Sequence, residues 1–308
     1  MNCFDYYDSE LQSLNIMDIR GLEVFLSVAK HLNYTRAAEE VNLSQPSVSV
    51  RIRQLEAELG VKLFEKLGKR VSLSEAGQLL VPYADRVMTA VDDAQQAIDE
   101  LEGLERGTLR IGASTTPGMY LIPQTLARFK HRHPKIEINL GIKDTRAVET
   151  GVIKNKFDFG FVGGHLVGDE VEVIPWLTDQ IVLVVPTDHK LARKKVVKTD
   201  DLKRERFIAR ELGSATQATT VSYLEKIGLQ IDSLMKMENP ESVKKAVQSG
   251  LGIAFISKFA VESELKARTL VVVRVRHLDI QRELKIVYRK DKLLSRAALM
   301  FIEMARDK

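Results

Sequence analysis

The side chains best suited to chemistry lie in one short run between Ser44 and Arg53. Val48, Ile52 and Leu55 recur at intervals of four and three, which predicts a helix whose apolar stripe faces the protein. The opposite face carries amide, hydroxyl and guanidinium groups and no carboxylate: Gln45, Ser47, Ser49, Arg51 and Arg53. Such groups match the base edges of the DNA major groove and the phosphates beside it, whereas a carboxylate would be repelled. The run therefore predicts a surface that recognises double-stranded DNA.

Neighbouring residues predict the elements that hold this helix in place. A preceding helix, capped by Thr35, carries two successive alanines where another helix can cross closely. Asn42 supplies the turn because Asn tolerates left-handed backbone, and Ser44 caps the second helix with Pro46 in its first turn. A further helix, from about residue 18 to residue 31, packs against both. Any helical hairpin has one polar face, so this periodicity also fits a hairpin that binds no DNA.

Two β-prone runs between Val61 and Leu73 surround Gly68-Lys69-Arg70 and predict a basic hairpin, or wing. Between residues 44 and 74, six Lys and Arg residues stand against three Glu, a net of +3 in a chain whose net charge is +4. Positive charge concentrated there suits contact with phosphates. We predict base contacts from four residues and backbone contacts from the rest of this surface. The first set is Gln45, Ser47, Ser49 and Arg51, and the second is Thr35, Arg36, Arg53, Lys69 and Arg70. Pro46, in the first turn of the same helix, belongs to this DNA-binding surface without an assigned contact.

A long apolar stripe begins after Ser74. Its members alternate at spacings of four and three: Leu80, Ala84, Val87, Val91, Ala94, Ile98 and Leu101. A stripe this regular, with acidic residues beside it, predicts a helix that pairs with its copy in a dimer coiled coil. The alternative is a helix packed on its own domain. We expect a kink or a restart at Pro82, because proline cannot donate the interior hydrogen bond.

Beyond a linker predicted at residues 103–107, strands and helices alternate. The predicted strands are 108–113, 135–140, 157–162, 171–176, 181–185, 206–209, 251–255 and 282–288. The predicted helices are 117–132, one from about residue 146, 215–227, 241–249 and 295–305. This alternation predicts α/β layers on a mostly parallel sheet.

Two loops rich in hydroxyl groups each lead directly into a helix of this region. Ser114, Thr115 and Thr116 follow the first strand, and a second loop with Ser214, Thr216 and Gln217 follows a later strand. Ligands bind at such places because helix N-termini offer free amides and the positive end of the dipole. The equivalent positions of the loops in two α/β units predict opposite walls of one cleft. Each loop taken alone also fits a helix cap with no ligand.

The sequence offers little to an enzyme or a metal centre. Cys3 is the single cysteine, which excludes a disulfide framework and a cysteine-based zinc cluster and suits a reducing cytoplasm. His131 and His133 have metal-ligand spacing, but at the end of a basic helix solvation is the simpler interpretation. No G-x-S-x-G, P-loop or G-x-G-x-x-G motif occurs, so we expect no enzymatic activity and no cofactor. With no apolar run of membrane-spanning length and no signal pattern, we expect a cytoplasmic protein without membrane contact.

These motifs together resemble the LysR-type transcriptional regulators, and the resemblance extends over nearly the whole chain. The order and spacing of six runs carry it. They are Phe25-Leu-Ser-Val-Ala, Tyr34-Thr-Arg-Ala-Ala, Leu43-Ser-Gln-Pro-Ser-Val-Ser, Ile52-Arg-Gln-Leu-Glu, Leu63-Phe-Glu and Val71-Ser-Leu-Ser-Glu-Ala-Gly77. The resemblance implies an α+β multidomain protein, with an N-terminal winged helix-turn-helix and a long linker helix that forms a dimer coiled coil. A two-lobed α/β effector-binding domain resembling periplasmic binding proteins follows at the C-terminal end.

In residue numbers, the family pattern implies three segments: 17–74 the DNA-binding domain, 75–106 the linker helix and 107–308 the effector-binding domain. The polar residues 1–16 precede the usual family start near Met17, and we interpret them as a mobile extension; a true start codon near Met17 is the equal alternative. Lobe I comprises 107–180 and 283–308, lobe II comprises 181–282, and the chain crosses between them near Gln180 and Arg282.

The resemblance also implies partners and ligand residues. A small-molecule effector lies between the lobes, where Thr145 joins the two hydroxyl loops. Many relatives carry Arg at the position of Gln217, so this departure weighs against a purely anionic effector. The resemblance implies a transcriptional regulator that binds operator DNA, forms a dimer and then a dimer of dimers, and contacts RNA polymerase when it activates.

Four further runs resemble the branch that controls sulfur assimilation or carbon fixation. They are Ile122-Pro, Asp158-Phe-Gly, Gly250-Leu-Gly-Ile-Ala-Phe-Ile-Ser and Phe259-Ala-Val-Glu. Gly163 departs from that branch, which usually has an acidic residue there. Two other classes were weighed: a solute-binding protein whose N-terminal helices only dimerise, which the basic wing disfavours, and an α/β enzyme, which the lack of paired catalytic groups disfavours.

Overall fold

A computed structural model describes residues 17–67, 70–101, 107–231 and 233–307. The chain forms two compact units that divide between Gln95 and Gln96. The N-terminal unit contains α1 (Ile19–His31), α2 (Tyr34–Glu40), α3 (Gln45–Leu59), β1 (Phe64–Leu67), β2 (Arg70–Leu73) and most of α4 (Glu75–Leu101). The predicted extension at residues 1–16 and the linker residues 102–106 lie outside the described residues. None of the described helices is long and apolar enough to cross a membrane.

Local capping explains where the N-terminal helices begin and end. Ser44 caps α3 by accepting a hydrogen bond from the amide of Ser47, and Asn42 has the predicted left-handed backbone, with φ of 54°. The cap of α2 differs from the prediction. Asn33, two residues before Thr35, accepts hydrogen bonds from the amides of Thr35 and Arg36. Asn is at least as good a cap as Thr, so the helix gains an earlier first turn.

The start of α4 belongs to the core of the N-terminal unit. Ala84 is buried and Leu80 packs against the same core as Phe25, Val48 and Ile52. These two positions therefore do not lie on a free seam, because the helix turns them toward its own domain. The helix continues through Pro82 without the predicted restart.

The second unit begins at β3 (Gly107–Ser114) and alternates strands with helices. In chain order there follow a π-helical turn (Pro117–Leu121), α5 (Ile122–Arg132), β4 (Ile136–Lys143), α6 (Thr145–Ile153), β5 (Phe159–Gly163), β6 (Val171–Pro186), a 3-10 turn (Lys190–Arg193), α7 (Thr199–Leu202), β7 (Phe207–Arg210), α8 (Ala215–Lys226), β8 (Ser233–Met237), α9 (Pro240–Gln248), β9 (Ala254–Ser257), a 3-10 turn (Lys258–Val261), α10 (Glu262–Lys266), β10 (Leu270–Val273), β11 (Ile280–Arg289) and α11 (Arg296–Arg306). The two strands predicted at 171–176 and 181–185 are one continuous strand, β6, and β8 and β10 were not predicted.

The main sheet is mixed, and the prediction of a mostly parallel sheet is wrong. Its order is β10-β6-β11-β5-β3-β4, with β9 also paired to β6. The pairs of β3 with β4 and with β5 are parallel, but β11 runs antiparallel to β5 and β6, and β9 and β10 run antiparallel to β6. The long strands β6 and β11 pair antiparallel over most of their length, although helices α7 to α10 lie between them in the chain. Alternation along the sequence could not reveal this pairing.

The largest two of the four described buried clusters in this unit lie along these long strands. The first is built on Phe129, Phe159, Phe161 and Phe301, between β3, β5 and the helices α5 and α11. The second collects buried residues from β6 beyond Gln180, with β7, α8 and β9. At the change from one to the other, Gln180 of β6 is paired with Gln281 of β11. We call the parts around the first and second cores lobe I and lobe II.

Candidate functional sites

On α3 the buried and exposed faces follow the predicted pattern. Val48, Ile52 and Leu55 are buried, while Gln45, Pro46, Ser47 and Arg53 are exposed. Ser49 and Arg51 are half-buried because they contact neighbouring polar groups. The Gln45 amide donates to the Ser49 hydroxyl at 2.8 Å, and the Arg51 guanidinium pairs with Asp18, the cap of α1, at 3.0 Å. The polar groups of this face are thus held by contacts that a DNA base could replace.

The structure describes only some of the remaining residues that were predicted to contact DNA. Thr35 and Arg36 are exposed in the first turn of α2. The wing forms as predicted, with Phe64 of β1 opposite Leu73 of β2. Lys69 lies outside the described residues, as does the side chain of Arg70.

Glu56, the first acidic residue of α3, turns out to face inward. Its carboxylate accepts hydrogen bonds from the amides of Leu63 and Phe64 and pairs with Lys62 at 2.7 Å. It therefore holds the first strand of the wing to α3. The sequence carried a signal for this role, since Glu56 follows Leu55 directly at the edge of the apolar stripe.

The second half of the α4 stripe is exposed. Val91 and Ala94 are exposed, as are Val87 and Ile98, whereas the side chain of Leu101 lies outside the described part of the chain. Leu79 and Tyr83, which were not predicted, extend the same row toward the start of the helix and are 66% and 57% exposed. An uncovered row of large apolar side chains marks a surface for association.

In the second unit, the two hydroxyl loops line one cavity between the lobes. Lobe I contributes Ser114, Thr115, Thr116 and Thr145, and lobe II contributes Ser214 and Thr216. The cavity measures ≈ 20 Å³, room for about one water molecule. The structure thus brings six of the seven predicted ligand residues together. Two of them also have structural bonds: Ser214 caps α8, and the Thr145 hydroxyl donates to the carbonyl of Gly163 at 2.9 Å.

Two buried arginines in this cavity were not predicted. The Arg282 guanidinium donates to the Asp179 carboxylate at 2.8 and 2.7 Å and to the Thr116 hydroxyl at 3.1 Å. Burial lowers the pKa of Arg282, and the Asp179 charge opposes that shift. Arg210 forms two parallel hydrogen bonds to Glu211, both at 2.7 Å. Each cation is therefore neutralised by a carboxylate of the chain itself.

The sequence held weak signals for both arginines. Arg210 directly precedes the second hydroxyl loop, at the carboxyl end of β7, where ligands bind in α/β folds. Arg282 falls at the predicted crossing between lobes, where a charged side chain enters the cleft from the strand itself.

Gln217 does not line the cavity, contrary to the prediction. Its side-chain carbonyl accepts a hydrogen bond from the amide of Arg210 at 3.0 Å, so it faces the end of β7. It is the third residue of α8, and the helix turns it away from Ser214 and Thr216. The side chain at position 217 therefore contributes no polar group to the cavity.

A second contact between the lobes lies outside the cavity. Tyr120, in the π-helical turn of lobe I, donates its hydroxyl hydrogen to Glu241 of lobe II at 2.5 Å. Buried Lys244 pairs with Glu241 at 2.8 Å and with Glu264 at 2.9 Å, and its ammonium lies 5.3 Å from the centre of the Tyr120 ring. Burial raises the pKa of Tyr120, and the bond to Glu241 raises it further. We call this cluster the latch.

Among the described residues, no group of three His, Cys, Asp or Glu side chains could hold a metal ion.

The geometry of the two units defines two functional parts: a helix-turn-helix with a polar outer face, and a two-lobed domain with a charged cavity between its lobes. Together they define a DNA-binding regulator with an effector-binding domain.

Comparison with protein families agrees with this architecture. Residues 19–78 match the bacterial regulatory helix-turn-helix protein of the lysR family, and residues 102–308 match the LysR substrate binding domain. The chain belongs to the LysR family of transcriptional regulators.

One curated relative indicates the branch of the family. The RuBisCO operon transcriptional regulator of Allochromatium vinosum is 37% identical over 287 residues, which cover 93% of this chain and 95% of that protein. The resemblance to the carbon-fixation branch is thereby confirmed.

Two solved structures share the fold. The regulatory domain of CcmR from Synechocystis PCC6803, in complex with 2-PG, is 25% identical, with a TM-score of 0.62 over 65% of this chain and 96% of that domain. Full-length CbnR in complex with its target DNA is 19% identical, with a TM-score of 0.69 over 94% of this chain and 99% of that one.

Proposed function

We propose that the cavity between the lobes binds a small anionic effector. The observation that carries this proposal is the pair of buried guanidinium groups, Arg210 and Arg282, beside the hydroxyl groups of Thr116 and Ser214. Arginine binds carboxylate and phosphate with two parallel hydrogen bonds, and burial strengthens such contacts. The 2-PG bound to the CcmR domain is a candidate of this kind.

Binding must exchange partners, because both arginines are already paired. An incoming anion takes the place of Asp179 on Arg282 or of Glu211 on Arg210, and the released carboxylate moves toward water. The ≈ 20 Å³ cavity is too small for a metabolite, so the lobes also part or rotate to admit one. A ligand that prefers the altered arrangement shifts the population toward it by its difference in affinity.

Calorimetric titration of the full chain with 2-PG tests the proposal. We expect binding by the parent and a loss of roughly 10- to 100-fold in affinity for Arg282→Gln, because a hydrogen-bonded charge contact is removed. Arg282→Lys keeps the charge and should recover part of that loss. Arg289→Gln, which removes an arginine paired with Asp291 outside the cavity, is the matched control and should bind like the parent. Equal affinities for all four proteins would place the anion elsewhere.

We further propose that the α3 surface recognises operator DNA of carbon-fixation genes. Gln45, Ser47, Ser49 and Arg51 contact bases, and the exposed Arg53 contacts phosphate. The name of the Allochromatium vinosum relative supports a RuBisCO operon as the target. A mobility-shift experiment with the chain's own upstream DNA and with a RuBisCO promoter tests this, with a scrambled duplex as the control.

The assembly is also a proposal. The exposed row on α4 supports a dimer, which a second interface between effector domains extends to a tetramer. We assign residues 17–74 to DNA binding, 75–106 to the linker helix, and 107–180 with 283–308 and 181–282 to the two lobes. The protein works in the cytoplasm without enzymatic activity and contacts RNA polymerase when it activates.

A further inference from the structure

Lobe II carries a concentration of positive charge that the effector cavity does not use. Residues 189–206 contain eight Lys and Arg against three Asp and Glu, a net of +5, whereas the whole chain has a net charge of +4. The excess of this one segment is therefore larger than that of the complete protein.

The fold adds two more cations to the same place. Val197 forms a parallel bridge with Val275. The amide of Val197 donates to the carbonyl of Arg274, and the carbonyl of Val197 accepts from the amide of Arg276, both at 2.8 Å. Both valines are buried, so the flanking residues of each segment point outward. Lys198, Arg274 and Arg276 consequently share one exposed face.

The acidic residues of the segment are already engaged. All three pair with lysines of the segment: Asp200 with Lys203, Asp201 with Lys194, and Glu205 with Lys190. Lys198, Arg274 and Arg276 form no ion pair with a described carboxylate, and neither do the exposed Arg193 and Lys195 that shortly precede Val197 in the chain. We call these five residues the basic surface.

Like charges held side by side in paired strands destabilise a fold, so this surface carries a cost that a polyanion would relieve. An acidic protein partner would also need an apolar centre, since protein interfaces depend on buried aromatic and aliphatic anchors. Residues 193–198 and 274–276 include the exposed Val196 but no aromatic residue. Phosphate groups, by contrast, require only exposed Lys and Arg.

We propose that the basic surface of lobe II binds the phosphate backbone of DNA, outside the bases that α3 contacts. The effector domain then adds a salt-dependent, sequence-independent contact to the complex. A ligand that moves lobe II would change this contact as well as the recognition helices.

The test compares full-length proteins on duplexes from the chain's own upstream DNA, one restricted to the site protected by the parent and one extended by several helical turns. One variant combines Lys195→Gln, Lys198→Gln, Arg274→Gln and Arg276→Gln. The matched control removes four exposed lysines elsewhere in the domain: Lys135→Gln, Lys154→Gln, Lys156→Gln and Lys266→Gln. Both variants lose the same net charge.

On the extended duplex we expect the first variant to lose at least tenfold in affinity and its salt slope to fall by roughly 2 to 4, at about 0.9 for each phosphate contact removed. The control should keep the slope of the parent. Equal slopes for both variants would overturn the inference. It would also be overturned if the first variant bound DNA normally but failed to support transcription by RNA polymerase, because the surface would then bind a protein. Failure of the parent to bind any duplex would instead refute the proposed operator function.

Discussion

At the scale of single residues, Glu56 shows how a charge near the recognition surface can serve the fold. The amides of Leu63 and Phe64 are buried where β1 begins, and the Glu56 carboxylate accepts a hydrogen bond from each. Without it, two backbone donors would lack a partner away from water, which is costly.

Glu56→Ala should therefore destabilise the N-terminal unit by about 1–3 kcal/mol and loosen the wing first. Hydrogen exchange of the amides from residue 61 to residue 73 measures the effect. Glu58→Ala, which removes an exposed carboxylate of the same helix, is the control and should leave exchange unchanged. If both variants exchanged like the parent, Glu56 would have no structural role.

Glu40 provides a charge whose effect depends on pH. Hydrogen bonds from Lys30 and Ser27, with smaller help from His31, lower its pKa from 4.5 to about 2. Because the pKa in the folded protein lies below the ordinary value, ionised Glu40 stabilises the fold. This stabilisation is present above about pH 4.5 and disappears as pH falls toward 2. The side chain is 37% exposed, so solvent weakens the effect.

We expect Glu40→Gln to flatten the dependence of N-terminal stability on pH between about 4.5 and 2. Acid titration of the helical circular dichroism of parent and variant measures it. The neighbouring exposed Glu39→Gln serves as the control. Identical acid transitions for parent and Glu40→Gln would show that the contacts of Glu40 contribute nothing.

At the scale of elements, α3 presents polar groups that are satisfied before DNA arrives. Gln45 bonds to Ser49, and Arg51 pairs with Asp18. Recognition by α3 therefore exchanges one set of hydrogen bonds for another, so the net gain in binding free energy depends on how well the base fits. A wrong base leaves these groups unpaired, which is how such a helix discriminates.

Gln45→Ala should cost about 1–3 kcal/mol in operator binding and relax specificity at one base position. Binding to a set of operators, each with a single base change, measures both quantities. Arg53→Ala, on the proposed phosphate contact, should weaken all sequences alike. If Gln45→Ala kept the site preference of the parent, α3 would be misassigned as the recognition helix.

The latch is the corresponding element in the effector domain. Its π-helical turn replaces the first turn of the helix predicted at 117–132 and carries Tyr120 to Glu241. Burial opposes ionisation of Glu241, but hydrogen bonds from Lys244 and Tyr120 outweigh it and lower its pKa. The phenol stays protonated because its own pKa is raised, so the bond persists around neutral pH.

Tyr120→Phe should make parting of the lobes easier, and so tighten 2-PG binding by up to roughly tenfold if a more open arrangement admits the ligand. Small-angle scattering of the unliganded variant should show a larger radius of gyration. Tyr288→Phe, at a half-buried tyrosine of lobe I, is the control. Weaker binding by Tyr120→Phe would mean that the ligand prefers the latched arrangement.

At the scale of the whole molecule, the exposed row on α4 is the surface that we propose for assembly. Val87, Val91 and Ile98 are 41%, 36% and 56% exposed, although large apolar side chains gain roughly 1.5–3 kcal/mol each when fully buried. Leu80 and Ala84 serve the domain core instead. The proposed association surface therefore departs from the predicted stripe at the start of α4 and continues through Leu79 and Tyr83.

Val91→Glu should dissociate the dimer, because symmetry would place two like charges opposite each other in an apolar seam. Light scattering after size-exclusion chromatography measures the oligomer, and DNA affinity should fall with it. Gln78→Glu adds the same charge at an exposed position off the row and should leave the oligomer intact. Elution of Val91→Glu as the parent oligomer would contradict the role of the row.

The sequence by itself determined the features that depend on a few neighbouring residues. The cap at Ser44, the turn at Asn42 and the buried stripe of Val48 and Ile52 follow from local backbone preference and helical period, and the structure has them where they were predicted. The hydroxyl loops were located in the same way, because each begins a helix at the end of a strand.

Only the tertiary structure decided which charges share the cavity. Arg282 meets Thr116 across 166 residues of chain, and no local pattern encodes that contact. The direction of Gln217 depends on the rotation of α8 against β7, and the antiparallel pairing of β6 with β11 depends on hydrogen bonds between distant strands. Local preferences act over one or two turns of chain, whereas the charge of the site depends on packing between segments that the sequence separates widely.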